Sequence, residues 1–196
     1  MRQNTAHLPL SERLIEAGLE ILLSGQPLTL RGAAARAGVS HGAPAHHFAG
    51  LAGLQTAIAA RAYHRFADHL QVVFDAFPPG VASDEELLMA MAQSYCGFAA
   101  EQGALFQLMF AEPALDWNDP DLTAASARAY AQLQRAAAPF ARAEDDRSIV
   151  ETLLWCIAHG YATLGLTRKP DDQSPPVGAP SLDLLTAKII ALLRKP

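Results

Sequence analysis

Ser24–Phe48, SGQPLTLRGAAARAGVSHGAPAHHF, decides how the chain is read. The stretch has the pattern of two short helices joined by a tight turn. Thr29 can cap the first helix, and Leu30, Ala33, Ala34 and Ala37 share its inner face. Gly38 stands where a chain leaving a helix needs a left-handed residue. Val39 reads as a buried anchor and Ser40 as the cap of a second helix, about residues 41–47. That helix carries His41, Gly42, Ala43, His46 and His47. So short a helix, so poor in large apolar groups, adds little to a core. It is a helix presented to a partner, as the second helix of a helix-turn-helix is.

Outward from this stretch the pattern stays helical. A first helix over about 11–24 has Ser11 as cap, Gly25 as stop, and Leu14, Ile15, Leu19, Leu22 and Leu23 inside. A long fourth helix over about 51–77 carries Leu54, Ile58, Ala62, Phe66, Leu70, Val73 and Phe77 at helical spacing, and Pro78-Pro79-Gly80 ends it. Asp84 caps a helix over about 85–102, and another covers about 103–111. Glu112–Asp121 is a loop with two Pro. Helices then span about 121–140, with a break at Pro139, and about 144–167. Lys169–Ser181, rich in Pro, Gly and Asp, reads as a mobile connection to a last helix over about 182–194. No internal repeat is present.

The chain has 196 residues and 51% apolar composition, enough for one or two domains with a real core. Strand-like alternation of β-branched residues is scarce. No apolar run reaches about 18 residues, so no membrane span is expected. The start, MRQNTAHLPLSE, lacks the apolar centre of a secretory signal. Cys96 and Cys156 fall inside helical patterns and read as reduced core residues rather than a disulfide. These features imply a cytoplasmic protein. The net charge of −5 divides unevenly: residues 1–77 carry +1 and residues 78–196 carry −6. Six of the seven His lie in the first segment, which has no Lys. Phosphate contacts there would fall to Arg, His, hydroxyls and backbone N–H groups.

The N-terminal third resembles the DNA-binding domain of the TetR (tetracycline-repressor-like) transcription regulators. Arg13-Leu14-Ile15-Glu16-Ala17-Gly18-Leu19 is similar to the family's first helix, roughly R-x-x-I-x-x-A. Thr29, Arg31, Ala34, Ala37, Gly38, Val39 and Ser40 follow its T-x-R-x-x-A-x-x-A-G-V-S, and His47-Phe48 its closing H-F. In the second half, Trp155, His159 and Gly160 resemble the effector domain of the branch marked by Trp-(three residues)-His-Gly. The resemblance implies an all-α fold of about nine helices. A three-helix DNA-binding domain, 8–70, would be joined by the long fourth helix to a ligand-binding and dimerisation domain, 78–196.

Three sites follow. For DNA, Ser40, His41, Gly42 and Ala43 lie on the first turn of the presented helix, with His46 and His47 one turn later. A His can donate to a purine N7 or O6, and an Ala methyl can meet a thymine methyl. Thr29 and Arg31 would hold the phosphate backbone. A packing role beside Phe48 is the alternative for His47. Where the family often has a Tyr in this helix and a Lys opening the fourth, this chain has Ala45 and Leu51. Pro44 removes the first intrahelical hydrogen bond and disfavours helical geometry at Ala43. DNA binding is therefore expected to be weaker or more selective, or lost. For an effector, Met89, Tyr95, Phe98, Phe106, Met109, Phe110, Trp117, Tyr130, Trp155 and His159 supply apolar walls and a few polar tips suited to an apolar small molecule. Ordinary core is the alternative for each of them. For a homodimer, Leu153, Ile157, Leu164, Leu182, Leu185, Ile189 and Leu192 crowd two helices too apolar for one buried face.

No HExxH, GxSxG, CxxC or strand-borne GxGxxG occurs, so no catalytic residue and no cofactor is implied. His41, His46 and His47 lack metal-ligand spacing and a nearby carboxylate. The sequence thus reads as a non-enzymatic, cytoplasmic and nucleoid-associated regulator. It would repress from a palindromic double-stranded operator and be released by an apolar effector. The rival reading is a TetR-fold dimer with degenerate DNA-binding residues, acting as a ligand-binding or protein-interaction module.

Overall fold

The computed structural model describes residues 7–78, 80–143, 146–164 and 180–194. Among them the fold is all-α, with helices α1 (Leu10–Leu23), α2 (Leu30–Ala37), α3 (Gly50–Ala76), α4 (Asp84–Glu101), α5 (Gly103–Met109), α6 (Pro120–Ala137), α7 (Arg147–Thr163) and α8 (Leu182–Leu193). Three short 3-10 helices, Ala43–His46, Glu112–Ala114 and Ala138–Phe140, join them.

Helix ends follow local chemistry. α1 begins after Pro9 and not at Ser11, which lies within the first turn. Proline's fixed φ suits a helix entrance and no side-chain cap is made. At its other end Gly25 is left-handed, φ 70°, with Gly25 N–H on the Leu22 carbonyl and Gln26 N–H on that of Ile21. Gly38, φ 69°, ends α2 in the same way: its N–H reaches the Ala35 carbonyl, and Val39 N–H that of Ala34. Thr29 Oγ1 accepts from Gly32 N–H at 3.0 Å, the expected cap. Ser83, rather than Asp84, caps α4: its hydroxyl accepts from Glu86 N–H while Glu86 Oε2 takes the Ser83 N–H and O–H. These bonds to Ser83 hold the Glu86 carboxyl below its usual range. Asp119 Oδ1 caps α6, and Pro139 breaks the helix into a 3-10 turn, as its missing N–H requires. Of the expected connection before α8, residues 169–179 lie outside the described residues. Ser181 itself caps α8 through Leu184 N–H.

The chain packs as two compact units. The first comprises the described residues up to Arg65 together with Gln102–Ser126. Here α1 packs on α2 and α5. Leu14, Leu19, Leu54, Ile58, Leu105, Met109 and Leu122 are fully buried. Two expected inner positions of α1 differ: Leu22 is half-buried and Leu23 exposed, while Ala17, Gly18 and Ile21 are buried. The buried stripe steps by three and four from Leu14 through Gly18 to Ile21, which turns Leu22 and Leu23 away. Gly18 permits close approach, since a Cβ there would lie 2.3 Å from Ile58 Cδ1.

The second unit comprises Phe66–Glu101 and the described residues from Ala127 on. α4 is its central element, with α7 and α8 packed against it. Phe66, Leu70, Phe74, Leu88, Met91, Phe98, Phe140, Val150, Leu154, Ile189 and Ile190 are buried. On α3, Phe74 takes the inner place expected of Val73, which is half-buried. Cys96 is buried as expected, and burial pushes its thiol up to about 12. Cys156 is exposed and not in the core, because its side of α7 faces away from the buried Val150 and Leu154. No helix of the described residues is long and apolar enough to cross a membrane.

The Thr29 cap can be tested directly. Thr29→Ala orphans the Gly32 N–H and should cost about 1 kcal/mol of stability in urea unfolding, with an unchanged m-value.

Candidate nucleic-acid interface and effector site

The first unit holds its helix-turn-helix with a row of charges on α1. Arg13 Nη2 donates to the Ala37 carbonyl at 2.6 Å, one of the acceptors left open at the end of α2. Glu20 pairs with Arg36 of α2 at 3.2 Å. Glu12 and Glu16 both take the Arg61 guanidinium, and Glu16 also takes Arg65 at 2.8 Å. Burial works against the Arg61 charge, but the hydrogen bond and field of Glu12 and the charge of Glu16 outweigh it and raise its pKa.

The presented segment is shorter and tighter than the sequence implies. Residues 41–47 do not form an α-helix capped by Ser40. They form a turn at His41-Gly42 followed by the 3-10 helix Ala43–His46. Pro44 is the reason. Its missing N–H leaves the Ser40 carbonyl to Ala43 N–H at 3.0 Å, and Ala45 N–H bonds Gly42 at 3.2 Å. Ala43 nonetheless keeps helical geometry as the first residue of that helix. Pro44 is also fully buried, whereas Val39, the expected anchor, is only half-buried.

Around this plug, Ser40, His41, Gly42, Ala45, His46 and His47 are exposed, and Ala43 is half-buried. The His47 and Phe48 rings lie 6.4 Å apart at a tilt, so His47 touches its neighbour while remaining exposed. Thr29 and Arg31 are exposed at the start of α2. Arg31 makes no ion pair or hydrogen bond among the described residues. Leu51 is exposed at the start of α3.

The residues expected around an effector divide between the units. Phe106, Met109, Phe110 and Trp117 belong to the first. Phe106 and Met109 are buried core, Phe106 packs on Phe110, and Tyr63 meets both Phe110 and Trp117 edge-on. Tyr63 O–H donates to the Met109 carbonyl at 2.9 Å, and buried Thr56 accepts from Asp116 N–H.

Met89, Tyr95, Phe98, Tyr130, Trp155 and His159 belong to the second unit. Phe98 is buried against Phe66 and His69. Tyr95 stands edge-on to Phe66, and its hydroxyl lies 2.9 Å from His159 Nδ1. The Trp155 ring is edge-on to both His159 and Tyr130. Tyr130 O–H donates to Glu151 Oε2 at 2.8 Å. Burial, and then the Glu151 carboxylate, raise the Tyr130 pKa.

Sequence reasoning missed Glu151, which is 3% exposed. The available signal was its place in an apolar run, Ile149-Val150-Glu151-Thr152-Leu153-Leu154, one turn before Trp155. Glu151, Trp155 and His159 then share one face at intervals of four. Arg13 was legible as a family position but not as a helix clamp. No three His, Cys, Asp or Glu side chains among the described residues are placed to hold a metal ion.

Residues 88–189, just over half of the chain, match the family described as tetracyclin repressor-like, C-terminal domain. The chain belongs to the TetR family. The TetR match covers most of α4 through α8. Solved structures of similar fold extend over nearly the whole chain. A Rhodococcus sp. RHA1 protein of unknown function has a TM-score of 0.71 at 23% identity, covering 98% of this chain and 97% of its own. The multidrug binding protein EbrR, complexed with imidazole, has a TM-score of 0.61 at 19% identity, covering 94% of both chains. AlkX, a TetR family repressor from Dietzia sp. implicated in biodegradation of n-alkanes, has a TM-score of 0.55 at 16% identity, covering 95% of this chain and 94% of its own. No curated protein sequence matches.

His159 gives a pH prediction. Desolvation lowers its pKa from the usual 6.5, so the folded state favours the neutral ring. As pH falls through about 6.5 the unfolded chain takes up a proton that the folded chain resists, and stability is lost. The melting temperature should fall between pH 7.5 and 5.5, and His159→Gln should make that fall smaller. An equal fall in the variant would assign the effect to other groups.

Proposed function

We propose that this chain is a homodimeric, cytoplasmic DNA-binding repressor released from a palindromic operator by a small-molecule effector. Residues 8–70 would serve DNA and residues 78–196 the effector and the dimer. The observation that carries the reading is the Ser40–His47 turn, pinned by buried Pro44 and surrounded by exposed polar groups. A packed anchor beneath exposed Ser40, His41, His46 and His47 suits a segment held rigid for a partner. Arg31 and Thr29 would position the phosphate backbone, and His41 and His46 would meet base edges. The Trp155, His159 and Gly160 motif supports the Trp-(three residues)-His-Gly branch. Effector binding among the helices of the second half would move α3 and alter the spacing of the two recognition turns, about 34–36 Å apart on adjacent DNA turns.

The rival, a TetR-fold dimer without operator binding, draws on three observations. Ala45 and Leu51 are exposed without a phosphate-reaching group, Arg61 and Arg65 are held by α1 carboxylates, and the presented segment is a single 3-10 turn. A salt-titrated binding assay on the protein's own upstream DNA separates the two. Under the repressor reading, Arg31→Ala weakens binding to all sequences about equally and reduces the salt slope by about one per subunit. A substitution at His41 shifts base preference instead. Absence of any binding at pH 6 in low salt favours the rival.

For the dimer, Ile189 is buried and Leu182, Leu185 and Ile157 are half-buried within their own chain. Leu153 and Leu164 on or just past α7, and Leu192 on α8, remain exposed, as do Ile149 and Leu184. These make the better contact surface for a second copy. Leu153→Glu with Leu192→Glu should yield monomer by light scattering at micromolar concentration, with helical content retained. An unchanged mass would remove α7 and α8 from the interface.

A further inference from the structure

Glu151 is a carboxylate almost wholly removed from solvent, yet only half satisfied. Oε2 takes both available donors, Tyr130 O–H at 2.8 Å and Gln134 Nε2–H at 3.4 Å. Oε1 is buried with no hydrogen-bond partner. Both donors are neutral, and Glu151 has no ion pair among the described residues. A buried acceptor lacking a donor is costly, and a buried carboxylate lacking a counter-charge is more so. The surroundings are aromatic. Tyr130 and Trp155 meet edge-on at 6.1 Å, and each is more than a third exposed, at 37% and 40%. His159 continues the same face of α7, its Nδ1 hydrogen-bonded to the Tyr95 hydroxyl at 2.9 Å. One corner of the second unit therefore combines a buried carboxylate oxygen that lacks a donor with two partly exposed aromatic side chains, and among the described residues no cation pairs with Glu151.

A neutral apolar ligand would leave Oε1 orphaned. A cation with N–H donors would supply both the missing hydrogen bond and the missing charge, and its aryl body would be held by the rings, whose faces attract cations. We propose that Glu151, with Tyr130 and Trp155, forms an effector subsite for aryl cations carrying N–H groups, such as amidinium, guanidinium or protonated arylalkylamine compounds. This rests on the effector reading above and gives its small molecule a charge, where the sequence by itself pointed to an apolar one. Gln134 and Tyr130 act as positioning residues that hold Oε2, leaving Oε1 for the ligand.

The test is calorimetric titration of the full chain with 4-tert-butylbenzamidine and with 4-tert-butylbenzamide, its neutral counterpart of nearly the same shape. Wild-type protein should bind the amidine at least about tenfold more tightly, about 1.4 kcal/mol. Glu151→Gln, which keeps the size and an acceptor for Tyr130, should bring the ratio close to one while the amide's affinity changes little. The wild-type ratio stands as a test even if that variant fails to fold. Equal binding of the two compounds by wild-type protein overturns the charged subsite and leaves the effector reading intact. A preference for the amidine that persists in folded Glu151→Gln places the cation elsewhere and also overturns it. Binding of neither compound overturns the charged subsite, and failure of a broad hydrophobic panel as well would overturn the effector reading with it.

Discussion

The first unit depends on α1, which acts as wedge and clamp together. Its buried stripe, Leu14, Ile15 and Leu19, contributes to the core about 1.5–3 kcal/mol for each large side chain fully buried. Its charged residues decide orientation. Arg13 closes the end of α2, Glu20 meets Arg36, and Glu12 and Glu16 hold Arg61 and Arg65 of α3. Partly exposed pairs of this kind contribute only about 0.2–1 kcal/mol each, so they do not hold the fold together. They set the directions in which α2 and α3 leave an apolar wedge that is itself indifferent to direction. Arg61 and Arg65 are thus paired with α1 carboxylates, whereas Arg31 makes no ion pair among the described residues.

Pro44 is the second constraint. A regular helix across 41–47 would need an N–H at position 44 to reach the Ser40 carbonyl. Proline cannot supply it, and the chain tightens to 3-10 spacing. The same ring fills the core beneath the turn. One residue thus shortens the presented segment and anchors it, with the surrounding His side chains exposed above a packed ring.

In the second unit α7 carries two stripes with different tasks. Val150 and Leu154 pack inward, with Glu151, Trp155 and His159 beside them in a polar and aromatic network. Ile149, Leu153 and Leu164 are exposed on another side. Apolar side chains therefore lie on two sides of α7, inward at Val150 and Leu154 and outward at Ile149 and Leu153. That placement is the physical basis for proposing one face for a ligand and the other for a second copy of the chain.

What the sequence determined by itself was local. The all-α class, the Thr29 cap, the stop at Gly25, the left-handed Gly38, the break at Pro139 and the inner face of α3 from Leu54 to Leu70 all follow from backbone sterics and the 3.6-residue period. Those act over a few residues and are written in them. Legible too were the residues that form the presented turn, though not its 3-10 geometry, because the cost of Pro44 in a helix is offset by burying its ring. Only tertiary structure decided that Arg13 serves α2, that Ser83 and not Asp84 caps α4, and which unit each expected effector residue belongs to. It also decided that Glu151 sits buried with one oxygen unmet. Each of these depends on what lies opposite a side chain in space. The period of a helix says which residues share a face and says nothing of what that face will meet.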